Sequence, residues 1–265
     1  MAASTLPVLA GAVREQRRSL ILWSIALSAV STMYIAFYPA IGGEGMDEMI
    51  ASMPEDLVVA LGYDTLGSAA GYITSTVYGL LGPVLLLVFA IGTGSRLIAG
   101  EEEGGTLELE LTAPVERRRV FTERLVALWL DVLVLVGVLT AVSYALIVAF
   151  DLEVGFTFLL AGAAGLYLMV TGMGTVALAV GAITGRRAVA LGVAAAFAAT
   201  AFIFDAIGPV ADLGWMTAIS PFSWYLENDP LTNGFDVRGL LLLAMIPIVF
   251  GAAGLVRFDR RDLMV

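Results

Sequence analysis

Residues 125–149, LVALWLDVLVLVGVLTAVSYALIVA, decide what kind of protein this is. The run contains a single charged residue, Asp131. A helix of about 20 apolar residues crosses the roughly 30 Å hydrocarbon core of a bilayer, so the run is long enough to span a membrane. A tilted barrel strand would instead alternate apolar and polar residues over about ten positions. The run therefore predicts a membrane-spanning helix.

The rest of the chain has the same character. Hydrophobic residues make up 59% of the 265 residues, charged residues only 14%, and the mean hydropathy is +0.92. Soluble domains carry about 25% charge. Lipid cannot form hydrogen bonds with the backbone N–H and C=O groups at an open sheet edge, whereas a helix satisfies these groups internally. We therefore predict an all-α membrane protein. Its six transmembrane helices would cover 20–41, 73–98, 125–149, 156–183, 189–210 and 239–257, within a single membrane domain over 1–265.

The arginines orient these helices. All but Arg238 fall on one side of a six-span topology: before the first helix, in the loops after the second and fourth, and after the sixth. The loops on the opposite side are acidic. Because basic residues accumulate in cytoplasmic loops, both termini are expected inside the cell.

Three segments are neither spans nor short turns. Residues 4–19 combine apolar positions at helical spacing with nearby arginines, which predicts an amphipathic helix on the inner surface. The outer loop 42–72 contains a methionine-rich helical pattern at 46–62, interrupted at Pro54. The other outer loop, 212–238, is rich in aromatic residues and is expected to dip into the membrane interface.

Residues 100–118, GEEEGGTLELELTAPVERR, form the most highly charged segment and the one long inner loop. The glycine pair 104–105 should end the descending helix, and Thr106 is a candidate N-cap for a short helix over 107–112. Leu107 and Leu111 would share one face of that helix. This shape suits docking into a cytoplasmic partner. The alternative is a solvated connector held inside by its arginines.

This loop resembles the signature E-E-x-x-G-T-L-E-x-L-L-x-x-P-V-x-R of ABC-2 type permeases, the membrane subunits of ATP-binding-cassette exporters. Two further segments are similar to that family, SPFSWYLENDPLTNG at 220–234 and FDRRDL at 258–263. The resemblance covers essentially the whole chain. One departure is Glu110, where the family usually has leucine, and it leaves the interacting face of the short helix open.

The resemblance implies a type V exporter fold in the plasma membrane of a prokaryote. It also implies that the loop couples the chain to an ATP-binding-cassette ATPase present in two copies, beside a second permease chain, identical or related. ATP and Mg²⁺ would bind the partner ATPase, and this chain would bind no cofactor or metal. The coupling interface would comprise Glu101, Glu102, Glu103, Thr106, Leu107, Glu108, Leu111, Pro114, Arg117 and Arg118.

The residue inventory limits the chemistry of the chain itself. A phosphate-binding loop of the G-x4-G-K-[ST] type needs a lysine, and the sequence has none. It also has no cysteine and no histidine, which leaves an intramembrane protease or hydrolase without its usual groups. If ATP drives the protein, the ATPase is therefore another polypeptide, and no nucleic-acid partner is expected.

Two sets of residues are candidates for a transport path. Asp131 and Asp205 are charges within predicted spans, with interfacial solvation or a local ion pair as the plainer interpretation. Candidates for an outer gate are Pro221, Phe222, Trp224 and Tyr225, for which an ordinary aromatic belt is an equal alternative. The leading prediction is a permease that exports a lipophilic substrate. The rivals are a membrane scaffold or immunity protein without an ATPase, and a secondary transporter.

Overall fold

The computed structural model describes residues 7–41, 51–54, 57–58, 68–107 and 116–261, and six long helices dominate this part of the chain. In chain order the helices are α1 (Pro7–Ile41), α2 (Ala69–Glu103), α3 (Arg117–Ala149), α4 (Phe156–Thr184), α5 (Arg187–Val210), the short α6 (Gly214–Ile219) and α7 (Pro221–Leu226), and α8 (Val237–Arg260). All six long helices contain a segment apolar enough to cross a membrane. Each predicted span lies within one of them, which confirms the six-helix prediction.

The N-terminal segment differs from the expectation. From Pro7 onward, the residues predicted as a separate surface helix are the first turns of α1, which continues to Ile41. Between Val13 and Tyr38 the sequence contains neither proline nor glycine. Backbone hydrogen bonding therefore has no local reason to stop where the charged turn meets the apolar span.

Helix α4 is the centre of the bundle. In its most apolar window 78% of residues are buried, compared with 17% in α1 and 22% in α5. It packs against α2, α3, α5 and α8, whereas α1 lies outside and packs mainly on α3. Glycines allow the close approach: a Cβ on Gly94 of α2 would collide with the backbone of Gly174, and one on Gly254 of α8 would lie 2.9 Å from Ala179.

Helix α2 contains two π-helical stretches, Thr74–Leu81 and Arg96–Gly100. In the first, the amide of Gly82 bonds back to the carbonyl of Val77, which leaves the carbonyl of Tyr78 without that donor. The next residue, Pro83, has no N–H to supply. The hydroxyl of Tyr225 on α7 donates to the Tyr78 carbonyl instead, at 3.1 Å. The irregular backbone of α2 is thus completed by a tertiary contact.

The loop 212–238 folds back into the bundle. Ser220 caps α7 by accepting hydrogen bonds from the amides of Phe222 and Ser223, and its hydroxyl donates to the carbonyl of Ala201 on α5 at 2.7 Å. Asp236 caps α8 in the same way through the amides of Arg238 and Gly239. The caps therefore fix where the chain enters and leaves this segment.

Two predicted elements fall mainly outside the described residues. Of the outer helical pattern at 46–62, the structure describes only 51–54 and 57–58, where the amides of Leu57 and Val58 donate to the carbonyl of Pro54. Of the short helix expected at 107–112, it describes Leu107 alone. The predictions for the rest of both segments stay predictions.

Candidate functional site

The end of α2 is joined to three other membrane helices through three consecutive glutamates. Glu101 pairs with Arg124 of α3, and Glu102 pairs with Arg261, which follows α8. The Oε1 atom of Glu103 accepts a hydrogen bond of 2.9 Å from the backbone N–H of Arg187, the first residue of α5. We call Glu101, Glu102 and Glu103 the glutamate junction. The junction brings the ends of four helices together at one end of the bundle, the arginine-rich end.

In the pair between Glu101 and Arg124 the arginine is deeply buried, whereas the glutamate side chain is 22% exposed. Arg124 is 2% exposed, and its guanidinium also donates to the carbonyl of Leu97 within the second π-helical stretch of α2. A buried charge is tolerated when its hydrogen bonds and its opposite charge are both supplied. Arg124 therefore binds the backbone of α2 and the acidic end of the same helix at once.

The pair between Glu102 and Arg261 lies over the end of α4. Gly185 ends α4 in the left-handed region, with φ of +66°, and a Cβ there would lie 2.8 Å from Oε1 of Glu102 and 2.9 Å from the Arg261 guanidinium. The guanidinium of Arg117 on α3 donates to the carbonyl of Arg261. Nearby, the exposed Arg118 pairs with Asp259 at 2.8 Å. These contacts hold the first turn of α3 against the last turn of α8.

The start of the predicted coupling loop agrees with the expectation at its glycine pair and differs from it at Leu107. The glycine pair is a turn, in which Gly105 has φ of +71° and donates to the carbonyl of Glu102 at 3.1 Å. The hydroxyl of Thr106 donates to the carbonyl of Glu101 at 3.2 Å, and the amides that it would cap lie outside the described residues, so its role as an N-cap stays a prediction. Leu107 is fully buried in the bundle core. Three residues of the predicted interface lie outside the described residues: Glu108, Leu111 and Pro114.

At the opposite end, the candidate gate residues lie within the bundle. Phe222 is 3% exposed and packs edge-on against Phe202 of α5, with ring centroids 5.4 Å apart. Tyr225 is 4% exposed and lies against Gly165 of α4, where a Cβ would come within 2.6 Å of its ring. Pro221 is buried at the start of α7, and the partly exposed Trp224 donates from its indole nitrogen to the carbonyl of Ala218 at 2.8 Å. These rings connect α7 to α2, α4 and α5.

A groove of about 540 Å³ runs between α2 and α5. Its walls are almost entirely apolar, with Leu80, Val84 and Ile91 on one side and Leu191, Ala198 and Phe202 on the other. Phe222 from α7 also lines the groove. The predicted gate residue and the groove are therefore contiguous.

The two intramembrane aspartates occupy different environments. Asp131 of α3 is 2% exposed, its Oδ2 atom accepts no hydrogen bond among the described residues, and the charge of Arg96 on α2 acts on it electrostatically. Asp205 of α5 accepts a hydrogen bond from the hydroxyl of Ser223 at 2.7 Å, beside α7. Asp131 thus belongs to the arginine-rich end and Asp205 to the other end, so the two do not form a catalytic dyad.

The glutamates and arginines stand out in the sequence, but their pairing was not predicted. Apart from Arg117 and Arg118, which were placed in the coupling interface, the arginines served only as markers of membrane side, and Arg124 and Arg261 were not candidates for any site. One signal was available. Arg124 borders the apolar run 125–149, where an arginine needs a partner, and the glutamate junction ends the preceding apolar helix.

The fold and these ion pairs define a multi-pass helical membrane protein whose inter-helix charges gather at one end. A profile of the ABC-2 family transporter proteins matches residues 6–263. The chain belongs to this family, and it is therefore a permease component of an ABC-type transporter and not itself a catalytic enzyme. Association with an ABC ATPase and with the membrane is characteristic of the family. No curated protein matches the chain.

Proposed function

We propose that the chain is the membrane subunit of an exporter in which a separate ATPase moves the loop 100–118, and the glutamate junction passes that movement to the other helices. The observation that carries the proposal is the direct bonding of Glu101, Glu102 and Glu103 to α3, to the residue after α8 and to α5. These glutamates immediately precede the loop. A displacement of the loop would therefore reach three membrane helices without passing through intervening side chains.

The ATPase belongs to a partner polypeptide on this proposal. The chain contains no lysine, so it cannot form the phosphate-binding loop that holds ATP and Mg²⁺. The arginine-rich end faces the cytoplasm of a prokaryotic cell, in accord with the distribution of basic residues. Two ATPase subunits and a second permease chain, identical or related, complete the transporter.

The substrate is lipophilic on this proposal. The groove between α2 and α5 offers apolar side chains over about 540 Å³. It lies beside α5, one of the least buried of the long helices, so it is accessible from the lipid or from a second permease chain. Phe222 and Tyr225 would close the outer end, because both pack between α7 and the spanning helices.

The test is co-purification of the full-length protein from its native membranes in mild detergent, followed by identification of the bound proteins. Leu111→Asp changes the loop without touching the buried Leu107. Its matched control is Leu213→Asp, which makes the same substitution at an exposed position at the opposite end, between α5 and α6. We expect an ATPase of the ABC class with wild type and the control, and at least a tenfold loss with Leu111→Asp.

A different result would support another function. If no ATPase co-purifies with any form, the chain acts as a scaffold or immunity protein and the loop is a solvated connector. If the ATPase binds all three forms equally, coupling uses another surface of the arginine-rich end.

A further inference from the structure

A second cavity, of about 440 Å³, opens at the arginine-rich end between α1, α2 and the start of α5. Unlike the groove, it combines polar and apolar walls. Its polar wall contains Arg96 and Thr93 of α2 and Arg187 of α5, and its apolar wall contains Trp23 and Phe89. We call it the arginine pocket.

The two arginines are brought together by the backbone of α2. A Cβ on Gly100 would lie 3.2 Å from Cγ of Arg96 and 3.4 Å from Cδ of Arg187, so both side chains pass the same glycine. Residues Arg96–Gly100 are the second π-helical stretch, which changes the direction of Arg96 relative to a regular helix. Two guanidinium groups at one cavity repel each other unless an anion lies between them.

Among the side chains that the structure describes, which on α1 begin at Arg17, no carboxylate lines this cavity. Two lie nearby. Glu103 accepts its hydrogen bond from the backbone N–H of Arg187, and Asp131 of α3, on which the charge of Arg96 acts, is only 2% exposed. The pocket is therefore cationic on the surface of a chain with a net charge of −10. Guanidinium groups bind phosphate and carboxylate oxygens in bidentate fashion.

The arginine pocket adjoins the groove. Val88 and Gly92 of α2 line both cavities, and in the arginine pocket Trp23 packs edge-on against Phe89, with ring centroids 6.0 Å apart. A Cβ added to Gly92 would meet no atom within 4 Å, so the passage at this residue is open. A cationic end followed by a long apolar channel has the shape and polarity of an anionic amphiphile.

We propose that the arginine pocket binds the phosphate headgroup of an anionic membrane lipid, whose acyl chain lies in the groove between α2 and α5. Arg96 and Arg187 hold the phosphate, Thr93 donates a hydrogen bond to it, and Trp23 lies against the first part of the chain. This binding is a property of the single chain and does not depend on the ATPase. Its failure would leave the proposed coupling untouched.

The test is native mass spectrometry of the purified full-length chain in detergent, titrated with phosphatidylglycerol or phosphatidylcholine of the same acyl chains. We expect phosphatidylglycerol to bind at least about tenfold more tightly, because each charge-assisted contact contributes on the order of a tenfold change in affinity. The double variant Arg96→Gln/Arg187→Gln should remove this preference.

Arg186→Gln is the matched control for charge. Arg186 neighbours Arg187 and is exposed but does not line the pocket, so its loss should leave the preference unchanged. Arg187 is exposed too, and Arg187→Gln alone keeps the test available if the double variant fails to fold. Equal binding of the two lipids by wild type, or an equal loss with Arg186→Gln, would overturn the proposal.

The apolar half of the site has its own variant. Gly92→Leu should block the passage between the two cavities and weaken phosphatidylglycerol binding about tenfold. The control Gly137→Leu adds the same side chain at a position of α3 that faces open space, so it should leave binding unchanged. Inorganic phosphate at millimolar concentration distinguishes a free anion from a lipid. If phosphate displaces the lipid and Gly92→Leu binds normally, the pocket is a simple anion site and the lipid proposal is wrong.

Discussion

At the scale of single residues, the charges of this protein are unusual because several are buried and paired. Side chains of Arg124 and Glu102 are only 2% and 4% exposed. Removing such charges from water costs several kcal/mol per ion, which the pairing and additional hydrogen bonds offset. Losing one partner is therefore much more harmful than losing one member of an exposed pair. The glutamate junction therefore stabilises the contacts between helix ends, because separating them would leave buried charges unpaired.

This difference gives a prediction for Glu102→Gln. The change leaves the largely buried Arg261 without its opposite charge, so we expect a loss of about 3 kcal/mol in the free energy of unfolding. Arg118→Gln breaks the exposed pair with Asp259 and should have a much smaller effect. The measurement is thermal unfolding of the purified protein in detergent. Equal destabilisation by the two variants would show that the burial of Glu102 is unimportant.

At the scale of helices, α2 shapes both cavities and carries the glutamate junction. It supplies one wall of both cavities, carries the glutamate junction at its end and contains both π-helical stretches. Its apolar character and approximate length followed from the sequence. Its register against α4 did not, because glycines at several positions could have made the close contact, and only the packed structure shows that Gly94 does.

Two glycines of α2 test this register. A Cβ on Gly94 collides with the backbone of Gly174, whereas one on Gly92, two residues earlier, meets nothing within 4 Å. We therefore expect Gly94→Ala to cost about 1–3 kcal/mol through overpacking. Gly92→Ala should be neutral or slightly stabilising, since alanine favours a helix over glycine by about 1 kcal/mol. Thermal unfolding in detergent measures both, and similar melting temperatures for the two variants would contradict the assigned crossing.

At the scale of the whole molecule, the ion pairs and one hydrogen bond gather the ends of α2 and α8 and the starts of α3 and α5 at one end. This arrangement agrees with the alternating up-and-down course that the sequence predicted. Several of the arginines at this end also connect helices, so their clustering has a structural role in addition to orienting the chain in the membrane.

The orientation of the molecule in the cell is testable by cysteine labelling. The chain has no cysteine, so the wild-type protein already serves as the cysteine-free background. Glu116→Cys places a thiol at the arginine-rich end and Glu153→Cys at the other, and both positions are exposed. With both termini inside, a membrane-impermeant maleimide added to intact cells should label Glu153→Cys alone. It should label Glu116→Cys only after permeabilisation. The reverse pattern would invert the topology and place the predicted coupling loop outside.

The sequence by itself determined the class of protein, the six helices and the ends at which the charges collect. Long apolar runs have one stable solution in lipid, since each backbone must satisfy its own hydrogen bonds. The resemblance of the loop 100–118 also led to the family. Only the tertiary structure decided that the residues from Pro7 onward continue into the first span as one helix, that Glu101 and Glu102 pair with Arg124 and Arg261, and that Arg96 and Arg187 both pass Gly100. Those pairings depend on the rotation and close approach of helices far apart in the chain, and hydropathy carries no information about either.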